Sequence, residues 1–147
     1  MKKLFLITAV LMGALSFTSC KEDGPTPMLW EFSDYDANAI SAVFAPEFYT
    51  QVQITAKPDY TGDITLKCTN FREVTLPSWD SETGNMVSDE KCGFTVTKVD
   101  ATTLKITFKA LPDVDNSGLY QYVQVIGTND KESGSTNMFI SRGNIEQ

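Results

Sequence analysis

The run Asp113-Val114-Asp115-Asn116-Ser117-Gly118 places oxygen-bearing side chains at its first, third and fifth positions and glycine at its sixth. That is the opening of a calcium-binding loop. The twelfth position of such a loop needs a bidentate Glu and holds Gln124, and the residues from Leu119 onward read as a strand that cannot wrap a cation. A polar turn explains the run better, and no metal site is expected. Trp79 with Asp80, Ser81 and Asn85 suggests a different chemistry: an exposed ring stacks on a sugar face while acceptors take the sugar hydroxyls. Burial of Trp79 between two sheets is the competing reading, and the one that large aromatics generally favour. Tyr35, Tyr49 and Tyr60 lie in or beside turns and are reserve candidates for a binding surface. The carboxylate pairs Asp34/Asp36 and Asp113/Asp115 have the residue types for acid–base work. With nineteen Asp and Glu in the chain, such pairs arise by chance and sit in solvated turns. The chain has no histidine, which removes the commonest general base, the commonest metal ligand and every Ser–His or Cys–His dyad. No nucleophile–base pair or metal set can be assembled and no cofactor is expected. These residues point to binding rather than catalysis.

The elements that would carry them are strands. Val52, Ile54 and Ala56 share one face, as do Ile64, Leu66 and Cys68, then Cys92, Phe94 and Val96, then Leu104, Ile106 and Phe108. Thr, Lys, Gln and Gly occupy the alternate positions. Tyr120 to Ile126 and Met138 to Ile140 are nearly all β-formers, Arg72 to Leu76 is a shorter candidate, and another lies within Ala39 to Ala45. Turn signals separate the runs: Lys57-Pro58-Asp59, Tyr60-Thr61-Gly62-Asp63, Asp100-Ala101, Asp115-Asn116-Ser117-Gly118 and Ser133-Gly134. The pattern predicts an all-β, antiparallel sandwich of about seven strands. Trp30 and Phe32 are expected to dock the first strand on its core. The stretch from Pro77 to Lys91 reads as one long irregular loop, a length often tied to function or motion.

Before these strands, Lys2 and Lys3 precede the apolar run Leu4 to Leu15 and the small or polar stretch Ser16-Phe17-Thr18-Ser19-Cys20. The order is that of a signal peptide over residues 1–19, and the apolar run is too short for the ~20 residues of a membrane-spanning helix. Charged residues, Gly, Thr and two prolines make residues 20–27 a tether, which leaves 28–147 as one domain. The whole chain carries a formal charge of −7. Without Lys2 and Lys3, ten Lys and Arg face nineteen Asp and Glu, a charge of −9. Such a surface repels nucleic acid and anionic headgroups, so nucleic acid is not an expected partner. Export permits Cys68 and Cys92 to pair.

Phe17-Thr18-Ser19-Cys20 resembles the bacterial lipobox, which implies that Cys20 becomes the acylated N-terminus and membrane anchor. The following Lys21, Glu22 and Asp23 resemble the surface-export signal of Bacteroidetes lipoproteins, with an ordinary charged tether as the alternative. Leu104-Lys105-Ile106 and Asn116-Ser117-Gly118-Leu119-Tyr120-Gln121-Tyr122 resemble strands E and F of an immunoglobulin-type domain. The resemblance puts Tyr120 at the buried tyrosine corner, Tyr122 where antibody domains have their second cysteine, Cys68 late on strand B and Trp79 near strand C. Cys92 then starts strand D. Strands B and D both run antiparallel to E, which places the two cysteines toward opposite ends of one sheet as free thiols. Ile64-Thr65-Leu66-Lys67-Cys68-Thr69-Asn70 and the closing Ser141-Arg142-Gly143 are similar to BACON-like domains of surface lipoproteins. That likeness implies a lipid-anchored, surface-exposed outer-membrane module accessory to glycan binding or uptake. A structural or protein-interaction subunit, such as an adhesin component, is the alternative.

Overall fold

A computed structural model describes residues 26–48, 50–77, 85–111 and 118–145. Cys20, Lys21, Glu22, Asp23, Tyr49, Trp79, Asp80, Ser81, Asp113 and Asp115 lie outside the described residues.

Ten strands are described: β1 (Trp30–Ser33), β2 (Ile40–Phe44), β3 (Val52–Ala56), β4 (Gly62–Cys68), β5 (Glu73–Thr75), β6 (Met86–Asp89), β7 (Phe94–Asp100), β8 (Thr103–Phe108), β9 (Tyr120–Thr128) and β10 (Ser133–Arg142). They form two five-stranded sheets, ordered β1-β4-β8-β7-β6 and β2-β3-β10-β9-β5. The fold is an all-β sandwich. The orders β1-β4-β8-β7 and β10-β9-β5 are those of strands A-B-E-D and G-F-C in an immunoglobulin-type domain.

The structure departs from the expected seven antiparallel strands in two ways. β6 lies inside the stretch read as irregular, where a short edge strand with only partly covered Val87 and Asp89 shows little alternation. And β3 runs parallel to β10, pairing Met138 with Val52 through Arg142 with Ala56, while the other pairings are antiparallel.

Alternation drives the assembly. Val52, Ile54, Ala56, Ile64, Leu66, Cys68, Phe94, Val96, Leu104, Ile106 and Phe108 are all buried in one core. Removal of such side chains from water supplies ~1.5–3 kcal/mol each for the larger ones. Trp30 closes that core from β1, and its indole N–H donates to the buried Thr136 hydroxyl at 2.9 Å. Phe32 packs against the core as a partly buried neighbour. Cross-strand partners Gly127 and Gly134 leave room for the entering chain: a Cβ on Gly127 would come within 2.7 Å of Met28, and one on Gly134 within 2.5 Å of the Thr26 carbonyl.

Cys68 and Cys92 are buried and free. The Cys68 amide donates to the Thr102 carbonyl at one end of β8, and the carbonyl of Gly93, next to Cys92, accepts from Lys109 at the other. About 20 Å of strand separates them at ~3.3 Å per residue, far beyond the ~7 Å between Cα atoms that a disulfide tolerates.

Candidate functional site

The two sheets turn very different faces outward. On the β1-β4-β8-β7-β6 sheet the outward positions hold Thr65, Thr103, Thr107 and Thr97 among Glu31, Asp63, Lys67 and Lys105, an ordinary solvated surface. On the other sheet, Tyr120 and Tyr122 are 53% and 48% exposed. The two tyrosines pack edge to face at 5.6 Å between ring centroids. Phe139, directly opposite Tyr122 on β10, stacks on Tyr120 at 5.1 Å and meets Tyr122 edge to face at 5.3 Å.

This arrangement overturns the tyrosine corner. Val123, Val125 and Gly127 take the inward positions of β9, so Tyr120, Tyr122 and Gln124 point outward. Tyr122 therefore does not occupy the core position of an antibody cysteine, and Tyr120 is not a buried hydroxyl holding the turn. Period two allows only one phase, and two valines on β9 opposite inward Met138 and Thr136 on β10 decide it. Tyrosine, apolar in body and polar at its tip, suits either face. Phe139 was not among the sequence candidates. Its signal was present in Met138-Phe139-Ile140, where an outward aromatic sits between two inward aliphatics.

Register places further side chains in rows across the same face. Tyr122, Phe139, Gln53 and Val43 form one row over β9, β10, β3 and β2. Tyr120, Ser141, Thr55 and Ser41 form the row beside it, with the Thr55 and Ser141 hydroxyls 2.9 Å apart. Gln124, Asn137 and Gln51 flank the aromatic row on its other side, where the Gln51 side-chain oxygen accepts from the Asn137 amide at 3.0 Å. No charged side chain belongs to these three rows.

The other candidates do not assemble with this face. Of Trp79, Asp80, Ser81 and Asn85 only Asn85 is described; it is exposed beside β6, and its carbonyl accepts from the Lys98 amide at 2.8 Å. Tyr35 and Tyr60 pack as partly buried residues against the core. Burial, with Asp36 and Asp63 nearby, raises the Tyr60 pKa. A recess of about 200 Å³ beside Asp89, Thr95, Thr107 and Lys109 is below the ~300 Å³ at which small-molecule pockets begin. Burial works against the charge of Asp89, but hydrogen bonds from the Cys92 amide and the Gln121 side chain, each 2.9 Å, outweigh it and hold its carboxyl below the usual range. Among the described residues no three His, Cys, Asp or Glu side chains converge as metal ligands.

The surface thus offers aromatic contact flanked by neutral hydrogen-bonding groups. No family model, curated protein or solved structure matches the chain.

Proposed function

We propose that this chain is a lipid-anchored binding module of the cell outer membrane, accessory to glycan binding or uptake, and that the outer face of the β2-β3-β10-β9-β5 sheet is its binding surface. The observation that carries the reading is the cluster of exposed Tyr120 and Tyr122 with the partly exposed Phe139, set in three rows without a charged side chain. Rings of this kind stack on the C–H faces of sugars, and the amides and hydroxyls around them suit sugar hydroxyls. A chain with no histidine supports binding without catalysis. The lipobox-like Phe17-Thr18-Ser19-Cys20 supports the anchor, and Lys21, Glu22 and Asp23 support exposure at the cell surface. Screening the full chain, purified in detergent, against immobilised glycans tests the reading. Binding that disappears in Tyr122→Ala supports it; retention of full binding in that variant refutes the site.

A protein-interaction role is the second reading, and one observation favours it. β2 is an edge strand, paired on one side with β3, and its Val43 is exposed at the end of the aromatic row. An extended segment of a neighbouring outer-membrane protein would add to that edge by backbone hydrogen bonds. Capture of a membrane protein that Val43→Lys abolishes, with no glycan bound, would establish it instead.

A further inference from the structure

We infer that the ligand of this face is a neutral chain of linked sugars, lying across the strands from β9 toward β2 and covering about three rings. The inference rests on the glycan reading above and adds charge, direction and length to it.

Direction follows from the rows. Along β9 the outward residues run Tyr120, Tyr122, Gln124 and Ile126. A chain parallel to the strand also meets two rings, but its edges lie over Phe139 of β10 on one side and, past Gln124, over the outward Thr75 and Glu73 of β5 on the other. Across the strands, Tyr122, Phe139, Gln53 and Val43 continue as one band, at one inter-strand spacing per step. Three such steps of ~4.8 Å make ~14 Å. On one side of the band stand the hydroxyls of Tyr120, Ser141, Thr55 and Ser41; on the other stand the amides of Gln124 and Gln51. A pyranose chain has the complementary section, with apolar ring faces below and hydroxyls along both edges. Only a crosswise chain keeps ring faces on the band and both edges on hydrogen-bonding groups.

Charge follows from what the rows contain. Acidic glycans are held by Lys or Arg, paired with carboxylate or sulfate. None is present in the three rows, and the chain as a whole is acidic, at −7, so an anionic polymer is repelled without local compensation.

Length is the readout that separates this arrangement from a single stacking site. In the full chain in detergent, titrated with neutral and acidic oligosaccharides of one to six units, neutral ones alone should bind. Affinity should rise about tenfold or more between one and three units, ~1.4 kcal/mol or more, and level off beyond. Gln53→Ala, remote from the tyrosines but on the band, should weaken three-unit ligands and leave one-unit binding unchanged; Tyr122→Ala should weaken every length. The thermal midpoint, measured beside each titration, should stay near the parent value because both side chains are exposed. Binding of acidic oligosaccharides, a flat dependence on length, or indifference to Gln53→Ala at three units would overturn the crosswise neutral ligand and leave the glycan reading standing. Failure of the parent chain to bind any oligosaccharide would overturn both.

Discussion

Arg142 shows how one side chain closes an end of the sandwich. It is 2% exposed, and its guanidinium donates to the carbonyls of Lys57, Pro58, Cys92, Gly93 and Lys109 while lying 5.0 Å from the Phe108 ring centroid. Three separate chain segments are tied to β10 this way. Gly93, at φ +68°, is held against it, since a Cβ there would meet Arg142 at 3.1 Å. Arg142→Met removes the donors and strands buried carbonyls, so it should cost ~3 kcal/mol or more. A urea midpoint equal to the parent's would contradict the clamp. Beside it, burial and the negative charge of Asp89 raise the Cys92 pKa to about 11. The fold thus favours the neutral thiol. Its contribution is complete below the ordinary thiol value of 9.0 and is lost as pH rises toward about 11, because the unfolded chain releases the proton first. Tyr60 acts in the same direction. The loss of stability between pH 9 and 11 should therefore be smaller in Cys92→Ala than in the parent, as read from urea midpoints across that range. Alkylation of the unreduced, unfolded protein should modify both Cys68 and Cys92; modification of neither would mean that they are bonded.

At the scale of the element, β9 combines both sides of the function question. Its inward valines anchor it in the core, and its outward tyrosines are held by Phe139 on the neighbouring strand. Cross-strand pairs of this kind contribute ~0.2–1 kcal/mol, so the aromatic cluster adds little to stability. Tyr120→Phe should leave the melting midpoint unchanged, the opposite of what a buried corner hydroxyl would give; a fall of several degrees would restore the corner. The strand positions of β3, β4, β7 and β8 were legible in the sequence because strict alternation marks each inward residue. β6 was not legible, since this short edge strand turns only Val87 toward the core as an apolar residue and so has no apolar period to show. The phase of β9 was open for a related reason: Tyr120 and Tyr122 compete with Val123 and Val125 for the same face, and only pairing with β10 selects the valines.

For the whole molecule, the point where the chain enters fixes which end would lie near a lipid on Cys20. Asn70 accepts from the Leu29 amide at 2.9 Å and donates to the Pro27 carbonyl at 2.8 Å, and Thr26 donates to Glu132 at 3.2 Å. The tether thus meets the sandwich at the loops 69–72 and 129–132, where Arg72 pairs with Asp130 at 2.8 Å. Tyr122 lies six residues of β9 away from Thr128 at that end, ~20 Å along the strand. A lipid on Cys20 would hold the loop end toward the bilayer and the aromatic band away from it. Cys20→Ser should release the protein from membranes with its melting midpoint unchanged; material still bound after a salt wash would refute the lipid anchor. Replacing Lys21, Glu22 and Asp23 together by Ala should keep the lipid but reduce antibody labelling of intact cells, and unchanged labelling would make the segment a plain tether.

The sequence determined the class of the fold and the inward residues of β3, β4, β7 and β8, and its resemblance to an immunoglobulin-type domain implied the separation of Cys68 from Cys92. Each follows from local period two, or from the fact that strands antiparallel to a common neighbour are parallel to each other. Tertiary structure alone decided which phase β9 adopts, that β3 pairs parallel to β10, and that Arg142 draws five carbonyls from distant segments together. The candidate surface belongs to this second group. Tyr122, Phe139, Gln53 and Val43 are scattered over residues 43–139 of the chain, and only the register of four strands sets them in a row, because alternation fixes a side chain's face but not its neighbours across the sheet.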